Sequence, residues 1–464
     1  MHSISSRSLG ADRCLAIGGL LCWLGIVAAI AGTAFRIVKQ YHEGGLYDAK
    51  HGGMADFHNG AYHSALAIRD GVSPYGNDFA KKYPVAKPNP AFSPSILALH
   101  IPIAMLPQRI ADLLYFILSI VLLGWIAWLA TIESIPDPIR SPNLRGFLFP
   151  FLCFFILASR GGHTTLLNGY FTPIIVLGIQ LALQFCNRRP WLAGFGYFLA
   201  SGKPTFAIPL LIVMFARGNY RALSIGVLLG AIGGLLPLCW LAWNLGWGEL
   251  VSSITDGQKL HMADPRELPI NTWTRIDLSA IAAKWSETNP SEILQVVAMI
   301  PMIAIPAWAL HRRRRSGDTE GTISLSGSIA LLALLVTLYH HVYDALILIG
   351  PIAILSTELL ERLVGSHKAM KAPASLDGPS MLWRTWSSFS ILCFGILIST
   401  PWWNYLSSEI LLTRLPNVPL LHRLLTSVNA TALSVALVLL VMFALKRTAN
   451  ANISSDVGPP AGRV

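Results

Sequence analysis

The sequence predicts an all-α polytopic membrane protein of roughly twelve transmembrane helices, each about a bilayer thickness or a distorted half of one. Three observations carry that prediction. The 464 residues are 53% hydrophobic and only 13% charged, with a mean hydropathy of +0.54. Apolar stretches of about 15 to 24 residues recur along the chain, and a helix crosses the hydrocarbon core with roughly 20. The formal charge of +11 is gathered in short runs beside apolar stretches: Arg188-Arg189, Arg217 and Arg221, Arg312 to Arg315, and Lys446-Arg447. That is the positive-inside signature, and it argues against a nucleic-acid partner. Cys14, Cys22, Cys153, Cys186, Cys239 and Cys393 show no CxxC or pairing spacing. They read as small core residues, with no disulfide or metal implied.

In chain order, residues 14–35 form the first predicted span. The stretch has a basic start, is longer than a signal-peptide core and lacks an A-x-A site, so it stays as a helix. With Arg7 and Arg13 inside, residues 36–90 become a large extracytoplasmic first loop. Residues 91–106 are short and interrupted by Pro94 and Pro102, which reads as a re-entrant or interfacial segment, the alternative being that Arg140 and Arg145 lie outside; residues 110–132 are a full span. Residues 147–159 and 171–185 flank a polar break, RGGHTTLLNGY, on the outer side. Residues 191–216 are too short for two ordinary spans and carry Ser201-Gly202-Lys203-Pro204 at their centre, predicting two short helices that meet at a polar elbow. Residues 223–243 lead to a second extracytoplasmic loop, 244–290, and residues 293–310 return to the arginine run. Residues 323–339 and 342–360 form a hairpin with Tyr339-His340-His341-Val342-Tyr343-Asp344 at its outer tip. Residues 361–384 are a cytoplasmic connection, residues 389–406 and 428–445 are the last spans, and 451–464 read as a disordered tail. Residues 1–450 thus form one integral membrane domain.

The polar breaks on the outer side bring different chemistry. Residues 52–83, GGMADFHNGAYHSALAIRDGVSPYGNDFAKKY, are aromatic-rich and contain Asp56, either an N-cap or a catalytic carboxylate. Lys203, between Gly and Pro in an apolar hairpin, costs roughly 2.5–3.5 kcal/mol at a helix centre, so it either faces a cavity and an anion or snorkels to the interface. His340 and His341 are adjacent, and at most one of them faces the site. Asn168 reads as a helix cap or a site residue, Tyr75 and Tyr83 as interface aromatics or substrate contacts, and Arg275, in the second polar loop, as a further substrate-binding candidate. His58 and His63, like His340 and His341, lack a carboxylate at a spacing that suggests a closed ligand set. No Walker loop, Rossmann fingerprint or HExxH helix is present, so no nucleotide, metal or other cofactor is expected. An outward-facing enzyme of this kind takes its activated group from something the membrane carries.

The combination of ADFHNGAYHSALAIRDGVSPYG after the first helix, a proline-rich apolar run, NGYFTPIIVLGIQLAL and WLAGFGYFLASGKPTFAIPLLIVMFARGNYRAL resembles glycosyltransferase family 87, the DUF2029 group of the GT-C superfamily. That family includes polyprenol-phosphate-mannose-dependent mannosyltransferases of actinobacteria. The resemblance implies a GT-C fold in the plasma (inner) membrane, with the site on the extracytoplasmic face. It implies that Asp56, in the family's Asp-Phe pair, is the catalytic base. The family's Gly-x-Pro-Tyr element falls on Gly71 to Tyr75, one residue longer here, its Lys-Pro on Lys203-Pro204, and its donor-side histidine on His340 or His341. Leu167-Asn168-Gly169-Tyr170 departs from the family's Gly-Gln-x-Asn. The implied reaction moves a hexose, mannose-like, or a pentose from a polyprenyl-phosphate sugar to a lipid or glycan acceptor with inversion, using the lipid-linked sugar as co-substrate. A secondary transporter is the rival reading, although no internal repeat of the kind such proteins use is visible. A non-catalytic scaffold would leave Asp56 and Lys203 incidental.

Overall fold

The structure, a computed structural model, describes residues 6–43, 53–85, 90, 92–135, 142–265, 267–314, 320–363, 383, 386–415 and 418–456. Among these the regular elements are helices, joined by one isolated antiparallel bridge between Arg275 and His341. Seven helical stretches are long and apolar enough to cross a membrane: Asp12–His42, Gln108–Ser134, Tyr220–Leu245, Ile293–Arg313, Val342–Leu363, Ser388–Ser407 and Pro419–Lys446. Pro142–Ala158 and Arg160–Asn168, bent by 65° at Ser159, make an eighth if taken as one broken span.

Seven or eight spans correct the expectation of roughly twelve. Thr172–Gln184, Pro204–Arg217 and Leu325–Thr337 are apolar helices of 13, 14 and 13 residues. At 1.5 Å per residue each reaches about 20 Å against a hydrocarbon core of about 30 Å. Apolarity marked them in the sequence, but they are too short to cross; Thr172–Gln184 is mostly buried, while Pro204–Arg217 keeps Ile208 and Phe215 exposed. Leu325–Thr337 is buried at every position. Residues 92–106 resolve into the short helices Pro94–Leu99 and Ile101–Ala104, neither long enough to cross, with Ile96, Leu97 and Ala104 buried. The last helix continues through Asp456; residues 457–464 of the predicted tail lie outside the described residues.

The large extracytoplasmic first loop is corrected as well. Ala55–Phe57, a π-turn at His58–Tyr62 and His63–Arg69 run on from one another, and every residue from Phe57 to Ala65 is buried. The alanines, glycine and aromatics that looked like a decorated loop are the packing face of a helix. The second predicted loop likewise contains the helices Trp247–Ala263 and Leu278–Ser286.

Small residues set the closest helix approaches. A Cβ on Gly196 would lie 2.5 Å from the Gly178 carbonyl oxygen, and one on Gly178 would lie 2.6 Å from that of Gly196. Thr172–Gln184 and Pro190–Ala200 therefore touch backbone to backbone, as helices in lipid do where no hydrophobic drive brings them together. The first helix runs beside Pro142–Ala158 in the same direction, with Asp12 accepting from Asn143 at 2.9 Å, Gly18 against Phe147 and Gly25 against Phe154. Polar contacts gather at two ends. One holds Arg188–Glu320, Arg217 on the Gly321 carbonyl, and Glu133 on Thr322. The other holds Arg160 on Asn404 and Ser407, the Lys203 elbow, and the turn at residues 339–344.

Candidate active site

Asp56 is fixed by an unusual piece of backbone. Met54, just before it, has φ 60° and ψ 35°, a left-handed conformation that a non-glycine residue holds only when its surroundings impose it. The Met54 amide donates to the Leu167 carbonyl at 3.1 Å. Across from it, Gly169 has φ +70°, and a Cβ there would lie 2.6 Å from Phe57 Cβ. Residues 54–57 and 167–170 are thus clamped together. Met54, not Asp56, occupies the N-cap position, so Asp56 sits inside the first turn and the capping role does not describe it. Its carboxylate is half-buried and near enough to the Tyr343 hydroxyl for its charge to act there.

Behind Asp56 the helix is pinned by a pair that the sequence did not reveal. His58 Nε2 lies 2.7 Å from Asp112 Oδ1, with His58 fully buried, and Tyr41 donates to the other carboxylate oxygen. Two residues on from Asp56, about 200° around a helix, His58 points away from the site and anchors its far side. Replacing His58 with Ala leaves Asp112 with a lost partner and should lower stability by about 1–3 kcal/mol. Thermal unfolding of the purified protein checks this, and an unchanged midpoint would remove the anchor.

Lys203 stands at the predicted elbow, between Pro190–Ala200 and Pro204–Arg217. The elbow is held from below: the Ser93 amide donates to the Gly202 carbonyl at 3.0 Å, and a Cβ on Gly202 would meet Ile96 at 2.8 Å. Lys203 Nζ donates to Asp344 Oδ2 at 2.5 Å and lies 5.5 Å and 5.4 Å from the ring centroids of Phe206 and Tyr343. Asp344 Oδ2 also faces His340 Nδ1 at 3.2 Å and accepts from the His341 amide at 2.9 Å. A buried cation in a membrane protein needs such a partner.

The two histidines separate clearly. His341 Nδ1 accepts from the Thr274 hydroxyl at 2.6 Å, its Nε2 donates to Tyr339 Oη at 2.6 Å, and Tyr339 passes its proton's hydrogen bond to Glu267. Both ring nitrogens are engaged, and burial pushes the imidazole down to about 3, so it stays neutral. His340 is fully buried, packs against Phe206 with tilted rings and centroids 4.0 Å apart, and its Nε2 has no hydrogen-bond partner among the described residues. Burial lowers its pKa as well.

Arg275 grips Asp277 with two bonds, 2.8 Å and 2.9 Å, and lies 4.8 Å over the Tyr339 ring. Burial pushes the Asp277 carboxyl up, but Arg275, Ser279 and the Ala280 amide more than offset this and hold it below its usual range. Together with the bonds Ile276 N to His340 O and Val342 N to Thr274 O, both 2.9 Å, this braces the 339–342 turn. Arg275 thus acts here through the turn. Asn168 ends its helix, half-buried, one residue before Gly169. Tyr75 is buried and donates to the Phe92 carbonyl at 2.7 Å; Tyr83 donates to Asp70 at 2.7 Å. Neither contacts the Lys203 group in these bonds.

Tyr343 joins the parts. Its ring stacks on Tyr170 at 4.2 Å, faces Lys203 and feels Asp56. Asp56, Asn168, Tyr170 and Tyr343 are half-buried, whereas Lys203 and His340 are buried. Tyr343, Asp344, Tyr170, Glu267, Thr274 and Asp277 escaped selection in the sequence, although Asp344 carries a signal: a carboxylate opening an apolar stretch needs a cation, and Lys203 is one.

The profile described as glycosyltransferase family 87 matches residues 91–337, more than half of the chain. The chain belongs to glycosyltransferase family 87. No curated protein and no solved structure matches it. The family 87 match includes Asn168, Lys203 and Arg275, with Asp56 before it and His340 and His341 just after. Membership in family 87, together with the membrane-spanning helices, makes this a membrane glycosyltransferase.

Proposed function

We propose that this membrane glycosyltransferase moves a hexose, mannose-like, or a pentose from a polyprenyl-phosphate donor to a hydroxyl of a lipid or glycan acceptor, with inversion at the anomeric carbon. The observation that supports it is that Asp56 and Lys203, distant in sequence, both act on Tyr343, Asp56 through its charge and Lys203 at 5.4 Å from the ring centroid. The acceptor oxygen attacks the anomeric carbon while its proton passes to Asp56. The bond from that carbon to the phosphate oxygen breaks, and polyprenyl phosphate leaves with the electron pair. In this reading the half-buried Asp56 is the general base, which has to come within hydrogen-bond reach of the acceptor hydroxyl. Lys203 supplies the cation toward a phosphate gaining charge, the kind of stabilisation that usually dominates such catalysis. Taking the Arg188, Arg217 and Arg313 end as cytoplasmic by the positive-inside rule, the Asp56 end faces outward. A long prenyl chain, at roughly 0.8 kcal/mol per buried CH₂, stays in the bilayer, so the enzyme has to meet its donor there.

The test is donor consumption by the purified protein across a panel of polyprenyl-phosphate sugars with lipid and glycan acceptors. Release of polyprenyl phosphate with a glycoside of inverted configuration is expected. A protein that consumes no donor but accumulates labelled solute in vesicles is a transporter, and the proposal then fails.

A further inference from the structure

At the arginine-rich end, far from Asp56, a cleft of about 320 Å³ opens between the first helix and Gln108–Ser134, floored by Pro142–Ala158. Trp23, Trp128, Phe149 and Pro150 line it, and Arg145 stands at its rim. Phe149 meets Trp23 and Trp128 with ring centroids 6.0 Å and 5.6 Å apart, and the Arg145 guanidinium lies 5.0 Å over the Trp128 ring. Arg145 has no ion-pair partner among the described residues, and its Nε is buried without a hydrogen-bond acceptor. Asp12, on the adjacent helix, is engaged by the Asn143 amide instead.

The geometry points to a site for an anionic phospholipid, its phosphate on Arg145 and part of one acyl chain in the aromatic cleft. The cleft lies at the small end of the range ligand pockets occupy, roughly 300–1,000 Å³, so it takes a stretch of chain and leaves the headgroup outside. Its walls are membrane-facing: Trp23 and Trp128 are exposed beside Leu20, Leu24 and Trp125 on helices that cross the bilayer. Tryptophan and arginine at that level are the residues that meet headgroups. An arginine fork that lies over an aromatic face and has no ion-pair partner among the described residues offers donors to a phosphate, and a zwitterionic head would bring its own cation to compete. The site is distinct from the sugar-transfer site, since more than about 20 Å of helix separates Arg145 from Arg160. It therefore stands whether or not the donor reading does.

The experiment is native mass spectrometry of the full chain released from micelles containing equal amounts of phosphatidylglycerol and phosphatidylcholine with the same acyl chains. Wild type should retain one phosphatidylglycerol in preference, on the order of tenfold. Arg145→Gln should abolish the preference and Arg145→Lys should keep part of it, while Arg312→Gln should leave it unchanged. Arg312 is the right control because it too lies over a tryptophan, 4.3 Å from the Trp308 ring centroid. A preference that survives Arg145→Gln, falls equally in Arg312→Gln, or is displaced by millimolar inorganic phosphate overturns the proposal.

Discussion

Asp56→Asn should lower the turnover of sugar transfer by about 10²- to 10⁴-fold, the range that a positioned general base contributes. The loss should fall on kcat and on kcat/KM alike, with KM for donor and acceptor little changed, because proton removal belongs to the transition state. Stability should be nearly unaffected. Asp56 is half-buried in the first turn, so Asn keeps its shape, and the charge it removes near a helix start is worth about 0.3–1 kcal/mol. Initial rates with a polyprenyl-phosphate sugar, paired with a thermal unfolding curve of the same preparation, decide it. Turnover within a few-fold of wild type would leave Asp56 without a catalytic role. A loss of turnover matched by a collapsed unfolding curve would make it a folding residue.

How far the sequence reached is clearest at the Lys203 elbow. Gly and Pro around a lysine, inside an apolar stretch too short for two spans, could fold only as two short helices with the lysine at their junction. Pro190–Ala200 and Pro204–Arg217 show that reading held. Length misled elsewhere. Leu325–Thr337 is as apolar as a span and is buried throughout, and the sequence does not distinguish burial in protein from burial in lipid. The same ambiguity turned 53–85 into a loop, since His58, Asn59 and Ser64 look solvent-seeking until Asp112 and the helix backbone are placed beside them. Partners far apart in the chain were the part that could not be read. Asp344 for Lys203, Asp112 for His58 and Thr274 for His341 each come from a different helix or turn. The adjacent histidines, of which at most one was expected to face the site, have different partners, because neighbouring residues point apart. Only their partners could say which of them is fully engaged.

Lys203 offers the second large effect, and its ion pair changes how the experiment must be built. Lys203→Met alone should cost about 3–5 kcal/mol of stability, because it leaves the Asp344 carboxylate buried without its cation. A loss of transfer in that variant would not show what the lysine does. Pairing it with Asp344→Asn removes the stranded charge, and the new amide oxygen can still accept from the His341 backbone N–H, so most of the stability should return. The two possible roles then part. If Lys203 serves only to neutralise Asp344, the double variant recovers turnover along with its fold. If the cation also acts on the departing lipid phosphate, the double variant folds but stays slow, with weakened donor binding, and Lys203→Arg keeps part of the function within the limits of its wider planar head. Unfolding curves and donor consumption measured on the same three proteins separate these cases. Wild-type turnover in the folded double variant would end the phosphate role and leave Lys203 as the charge partner that holds the 339–344 turn in place.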